Sequence, residues 1–140
     1  WINLHDVLRP LGDGSSFLWA SEASGWRHLC VHDAATGELE RQLTSGEWGV
    51  DEVVSVDEAG GHVYFLGNSA ERGYLEKHLY RVGLVGGSPP QCLTLDLPGT
   101  HAGLALAHDA KCFVDQHSSA AEPVVAALRP LPDAGAAGAA

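Results

Sequence analysis

Arg27-His28-Leu29-Cys30-Val31-His32-Asp33-Ala34-Ala35-Thr36-Gly37-Glu38-Leu39-Glu40-Arg41-Gln42-Leu43-Thr44 decides the reading of this chain, because its framework is written twice. A shift of 50 residues lays Arg27-His28-Leu29 on Lys77-His78-Leu79, Gly37 on Gly87 and Leu43-Thr44 on Leu93-Thr94, and the register holds over eighteen residues without a gap. A third, partial copy starts near Phe113, where Lys111-Cys112-Phe113-Val114 matches His62-Val63-Tyr64-Phe65 in placement. Self-similarity at a fixed period of this length marks an array of units, each too small to bury its own faces and each completed by its neighbours.

Within each period the apolar residues come in short runs rich in β-branched and aromatic side chains. The expected strands are 17–20, 28–32, 40–44, 50–56, 62–66, 78–82, 91–95, 103–107, 111–116 and 124–128, and no run has the length and period of a helix. Turn-forming residues fall between them, at 33–37, 57–61, 85–90 and 108–110. About four strands in a period of about 50 residues is the content of one propeller blade. The expected fold is therefore all-β: antiparallel four-stranded blades of a β-propeller, two to three of them, in an incomplete ring. The expected organisation is a partial propeller over 1–128 and a Pro/Ala/Gly-rich tail over 129–140. The chain opens with Trp1 and contains no Met, which reads as an excerpt or a processed product of something longer.

Composition narrows the functions. Eighteen acidic against eight basic residues give a net charge of −10, and no Lys/Arg cluster offers a footprint for phosphate backbones, so nucleic acid is not an expected partner. No apolar run approaches the roughly 20 residues of a membrane-spanning helix. Cys30, Cys92 and Cys112 are too few and too scattered for a disulfide framework, and they read as small buried residues. No Cys/His spacing suits zinc, and no metal or cofactor is expected.

A serine hydrolase needs Gly-x-Ser-x-Gly, whose glycines relieve crowding at the exposed nucleophile. The nearest strings, Gly67-Asn68-Ser69-Ala70-Glu71 and Gly86-Gly87-Ser88-Pro89-Pro90, lack the final glycine, and Ser88 before two prolines reads as a turn. No catalytic residue is assigned. His28 and His78 hold equivalent places in the repeat, which favours a recurring blade contact such as a hydrogen bond to a neighbouring turn. His32, His62 and His117 read as strand residues, and His5 beside Asp6 would point to the opposite face of a strand. Trp19, Trp26 and Trp48 suit either a stacking groove or blade packing, and packing is the favoured reading. Asp51-Glu52 and Asp57-Glu58 are separated by the apolar run 53–56 and read as solvated acids, not a calcium loop. Leu29, Leu79, Leu43, Leu93, Gly37 and Gly87 are the architectural residues.

Several strings, in order, resemble the propeller domain of the dipeptidyl peptidase IV family of prolyl-oligopeptidase-like serine peptidases. They are Trp1-Ile2-Asn3-Leu4-His5-Asp6, Phe17-Leu18-Trp19-Ala20-Ser21-Glu22, Gly25-Trp26-Arg27-His28-Leu29, Leu43-Thr44-Ser45-Gly46-Glu47-Trp48, Val63-Tyr64-Phe65-Leu66-Gly67-Asn68, Leu75-Glu76-Lys77-His78-Leu79-Tyr80 and Phe113-Val114-Asp115-Gln116-His117-Ser118-Ser119. The likeness is closest to bacterial members and the intracellular branch. Ala23 stands where the family usually has Arg, and Ala120-Ala121-Glu122-Pro123 replaces a Thr-Pro-Pro-like segment. The resemblance implies a non-catalytic, substrate-gating part of a serine exopeptidase that releases N-terminal dipeptides. Its implied partners are the remaining blades, an α/β-hydrolase peptidase domain, peptide substrates and a second copy of the parent. The acidic pair with which the family binds a substrate's amino terminus has no match here, since no Glu-Glu dipeptide occurs. The alternative is a stand-alone binding propeller.

Overall fold

The computed structural model describes residues 7–12, 14–69 and 73–132. His5, Asp6, Ala70, Glu71 and the tail 133–140 lie outside the described residues. Eleven strands and no helix form among the described ones: β1 (Leu8–Leu11), β2 (Ser16–Ser21), β3 (His28–Asp33), β4 (Leu39–Gln42), β5 (Val50–Asp57), β6 (His62–Ser69), β7 (Gly73–Gly83), β8 (Gln91–Cys92), β9 (Thr100–Leu106), β10 (Cys112–Ser118) and β11 (Val125–Pro130). The 50-residue period recurs in space between the second and third blades, where β5 and β9 begin at 50 and 100 and β6 and β10 at 62 and 112.

Strands β1 to β4 form one antiparallel meander, the first blade. Strands β5 to β8 form the second, and β9 to β11 form three strands of a third. A single parallel bridge, Lys77 with Thr100, ties the second blade to the third and makes the larger sheet mixed. The blades are those of a propeller, and the described residues close no ring.

The cores lie between blades. Leu18, Ala20, Leu29, Val31 and Leu43 of the first blade pack against Val50, Val53, Val63, Phe65 and Val82 of the second. Tyr64 and Leu79 from the other face of the second blade meet Phe113 and Leu131 of the third. The middle blade is covered on both faces. That is why β6 reads as an unbroken apolar run from Val63 to Leu66 instead of an alternation.

Three differences from the sequence expectation have local causes. Strand β1 lies outside the expected set; its Pro10 is tolerated because β1 pairs only with β2 and Leu8, Arg9 and Pro10 are exposed at the sheet edge. The strand expected over 91–95 pairs only at Gln91 and Cys92, since the chain turns at 95–97. The strand expected from 103 begins at Thr100, and its Gly103 sits at a bulge between the pairs Val114 with Ala105 and Gln116 with Ala102. Gly103 has φ +55°, and an added Cβ would collide with the Gln116 side chain at 2.6 Å. The last strand carries the chain to Pro130, and Leu131 is buried.

Candidate functional site

The repeated letters build a repeated clasp. In the first blade the Thr44 hydroxyl accepts the buried Leu29 N–H (2.9 Å) and faces Nδ1 of His28 (3.1 Å). In the second, Thr94 accepts Leu79 N–H (3.1 Å) and faces Nδ1 of His78 (3.2 Å). At His28 the Nε2 partner is a backbone carbonyl, which only accepts, so Nε2 carries the hydrogen and Nδ1 accepts from the Thr44 hydroxyl; the matching geometry at His78 takes the same assignment. Nε2 then donates to the Gly46 carbonyl at His28 (3.0 Å) and to the Glu76 carboxylate at His78 (3.1 Å). The backbone repeats too: Leu43 N–H donates to Leu29 O and Leu93 N–H to Leu79 O, each at 2.8 Å. The two histidines therefore pin the outer strand to its neighbour, with every polar atom of the ring in use. Gly37 and Gly87 serve the turns on the far side, with φ +73° and +84° in open space, so conformation and not room demands glycine.

At the third repeat the motif is replaced by Leu128-Arg129, and a charged network takes over. Nη2 of Arg129 donates to both carboxylate oxygens of Asp96 (2.8 and 2.7 Å), and Nη1 lies 3.5 Å from Asp115. Asp115, fully buried, takes Nδ1 of His101 at 2.9 Å, while Nε2 of His101 faces Leu97 O at 3.1 Å. Both ring nitrogens of His101 therefore have a partner. The Arg129 hydrogen bond holds the Asp96 carboxyl below the usual carboxylate range. His78, His101 and His117 form a row with ring centroids 5.1 and 4.9 Å apart. The row runs from β7 through β9 to β10 and so links the second blade to the third. Among the described residues no group of His, Cys, Asp or Glu is arranged to hold a metal ion.

Strand β5 carries Asp51, Glu52 and Asp57, with Glu58 just past its end, and the run 53–56 holds the two acidic pairs apart. Asp51 pairs with Lys77, Asp57 accepts from the Gly60 amide of its own turn (2.8 Å), and Glu58 accepts from the Gly12 amide of the first blade. These carboxylates do not converge. The tryptophans divide: Trp48 stacks on Phe65 and Tyr80 and meets His28 edge-on, inside the first interface. Trp26 stacks on Tyr74 (5.6 Å) at the rim, and Trp19 lies half-buried on the outward face of the first blade. Ser88 lies in the exposed connection from β7 to β8. His32 bonds Gly37 O and His117 bonds Pro98 O, both serving turns. His62 lies beside Tyr64, with ring centroids 6.4 Å apart. All three cysteines are free, and burial pushes the Cys30 thiol up.

Sequence reasoning missed the network of Asp96, His101, Asp115 and Arg129, whose members are scattered over 34 residues with no repeated spacing. One signal was present: Asp115 shares a strand face with Phe113, two residues away, and so points where a side chain is buried.

Comparison with known proteins gives a consistent picture. Residues 1–124 match the family described as the dipeptidyl peptidase IV (DPP IV) N-terminal region. A probable dipeptidyl peptidase 4 of Aspergillus fumigatus is 39% identical over 77 residues, which are 54% of this chain and 10% of that protein. One of Emericella nidulans is 40% identical over 73 residues, 51% of this chain and 9% of that protein. One of Aspergillus flavus is 33% identical over 75 residues, 54% and 9% respectively. The matched stretch thus spans about a tenth of the length of these curated relatives.

Proposed function

The chain belongs to the dipeptidyl peptidase IV N-terminal region family, and from that premise we propose that it is the structural, substrate-gating part of a serine exopeptidase that releases dipeptides from peptide amino termini. The observation that carries this reading is an open blade face. The register sets Ala105, Val114 and Leu128 side by side across β9, β10 and β11, and Val114 and Leu128 are 38% and 71% exposed. Adjacent apolar residues on a sheet face call for a covering layer, and in a propeller that layer is the next blade. With the ring completed, the blades limit what reaches a peptidase domain stacked on it. This chain contributes shape to that reaction and no reacting group. In this reading the propeller part, 1–128 by sequence, also takes in the rest of β11 to Pro130 and the buried Leu131.

The test is substrate size. In the full protein, Leu128→Lys and Val114→Lys together should loosen the ring. Cleavage of a dipeptidyl amide should change less than twofold, while cleavage of long or folded substrates rises. Equal loss on short and long substrates would refute gating and leave only a stabilising role. Binding of a protein partner without any peptidase activity would favour the stand-alone propeller.

A further inference from the structure

Arg81 is the only Arg or Lys among the described residues that is buried, at 5% exposure. It lies on β7 opposite Tyr64 of β6 and Gln91 of β8. Its Nη1 donates to Pro132 O (2.9 Å) and its Nη2 to Gln91 Oε1 (2.7 Å), both neutral acceptors. No carboxylate of the described residues forms an ion pair with it. Arg129 is the contrast, because it is more exposed yet sits between two carboxylates. A buried cation without an anion is costly, and a guanidinium has five N–H groups in a planar fork, of which two are committed here.

Arg81 borders an open groove of about 440 Å³, lined also by Tyr64, His62, Ala110, Lys111 and Leu131. Two acids stand on its rim, but each is turned to its own loop. Asp57 takes the Gly60 amide, and Asp109 takes the amide of Lys111 (3.2 Å) and its ammonium (3.5 Å).

We propose that this groove binds a carboxylate joined to an apolar body, the chemistry of a peptide's C-terminal residue. The guanidinium fork fits a carboxylate in two-point contact. The volume exceeds a bare ion and falls in the range of small-molecule sites. Tyr64, Leu131 and Ala110 give the body an apolar wall, whereas Asp57 and Asp109 disfavour a dianion such as phosphate.

The test is calorimetric titration of the full protein with N-acetyl-leucine, N-acetyl-leucinamide, acetate and phosphate at matched ionic strength. Blocked amino groups keep these ligands from imitating a substrate with a free amino terminus, so the result is independent of the peptidase reading. The acid should bind saturably, at least tenfold tighter than its amide or acetate. Hydrogen exchange should slow over 57–64, 79–84 and 107–112, and Arg81→Gln should abolish both effects. If that variant does not fold, the comparison of acid with amide and the protection map in the unaltered protein decide the matter. Equal binding of acid and amide, no saturable heat, protection elsewhere, an unaffected Arg81→Gln or tighter binding of phosphate would each overturn the proposal.

Discussion

Replacing Thr94 by Val removes one oxygen and keeps the branched shape, which isolates the blade clasp. The hydroxyl takes the Leu79 amide at 3.1 Å and supplies the proton facing His78 Nδ1 at 3.2 Å; Leu79, His78 and Thr94 are all fully buried. Losing a net hydrogen bond costs about 1 kcal/mol, and stranding a buried amide adds a desolvation penalty of about 1–3 kcal/mol. The expected cost is about 2–4 kcal/mol. In local opening, about 2 kcal/mol is roughly a 30-fold change, since about 1.4 kcal/mol is tenfold. Hydrogen exchange of the β7 amides should therefore accelerate by roughly that factor. Thr94→Ser keeps the hydroxyl and should recover most of the protection. Thr44→Val should do the same to β3 through Leu29 and His28, and the two effects should add because the clasps share no partner. Unchanged exchange in Thr94→Val, or equal damage from Thr94→Ser, would refute the clasp.

Other outcomes follow from the same geometry. Asp115→Asn leaves Arg129 and His101 without their buried carboxylate and should cost about 3–5 kcal/mol, read as loss of protection in β9 to β11. Asp96→Asn should cost about 1 kcal/mol or less, because Asp96 is 65% exposed and solvent screens the pair. The folded-state pKa of Asp96 is lowered, so its stabilisation is complete above the unfolded value of about 3.9 and disappears as pH falls through the lower folded value. An acid titration of Asp96→Asn against the unaltered protein should show the two converge only below about pH 4. Phe65→Ala empties a fully buried site against Trp48 and Tyr80 and should cost about 3–5 kcal/mol, with altered Trp48 fluorescence.

The blades were legible because their letters repeat. His28-Leu29 with Leu43-Thr44 recur as His78-Leu79 with Leu93-Thr94, and the structure gives both sets the same hydrogen bonds. Strand β6 was legible from its apolar run, whereas β1 was not; it carries Pro10, which an edge strand tolerates and a central one does not. Gly103 looked like a strand boundary and is a bulge inside one. The third-blade network was not legible, because Asp96, His101, Asp115 and Arg129 have no common spacing and meet only through pairing of β9, β10 and β11. Arg81 was silent for a related reason: its burial depends on Gln91 and Pro132, contributed by two other segments.

The central proposal is that this chain shapes a peptidase whose reacting groups lie elsewhere in the full protein. The direct measurement compares the full protein with the isolated chain for release of a chromophore from alanyl-prolyl and glycyl-prolyl amides. The account predicts release by the full protein alone, abolished by a serine-directed inhibitor. Release by the isolated chain, or none from a correctly folded full protein, would contradict it.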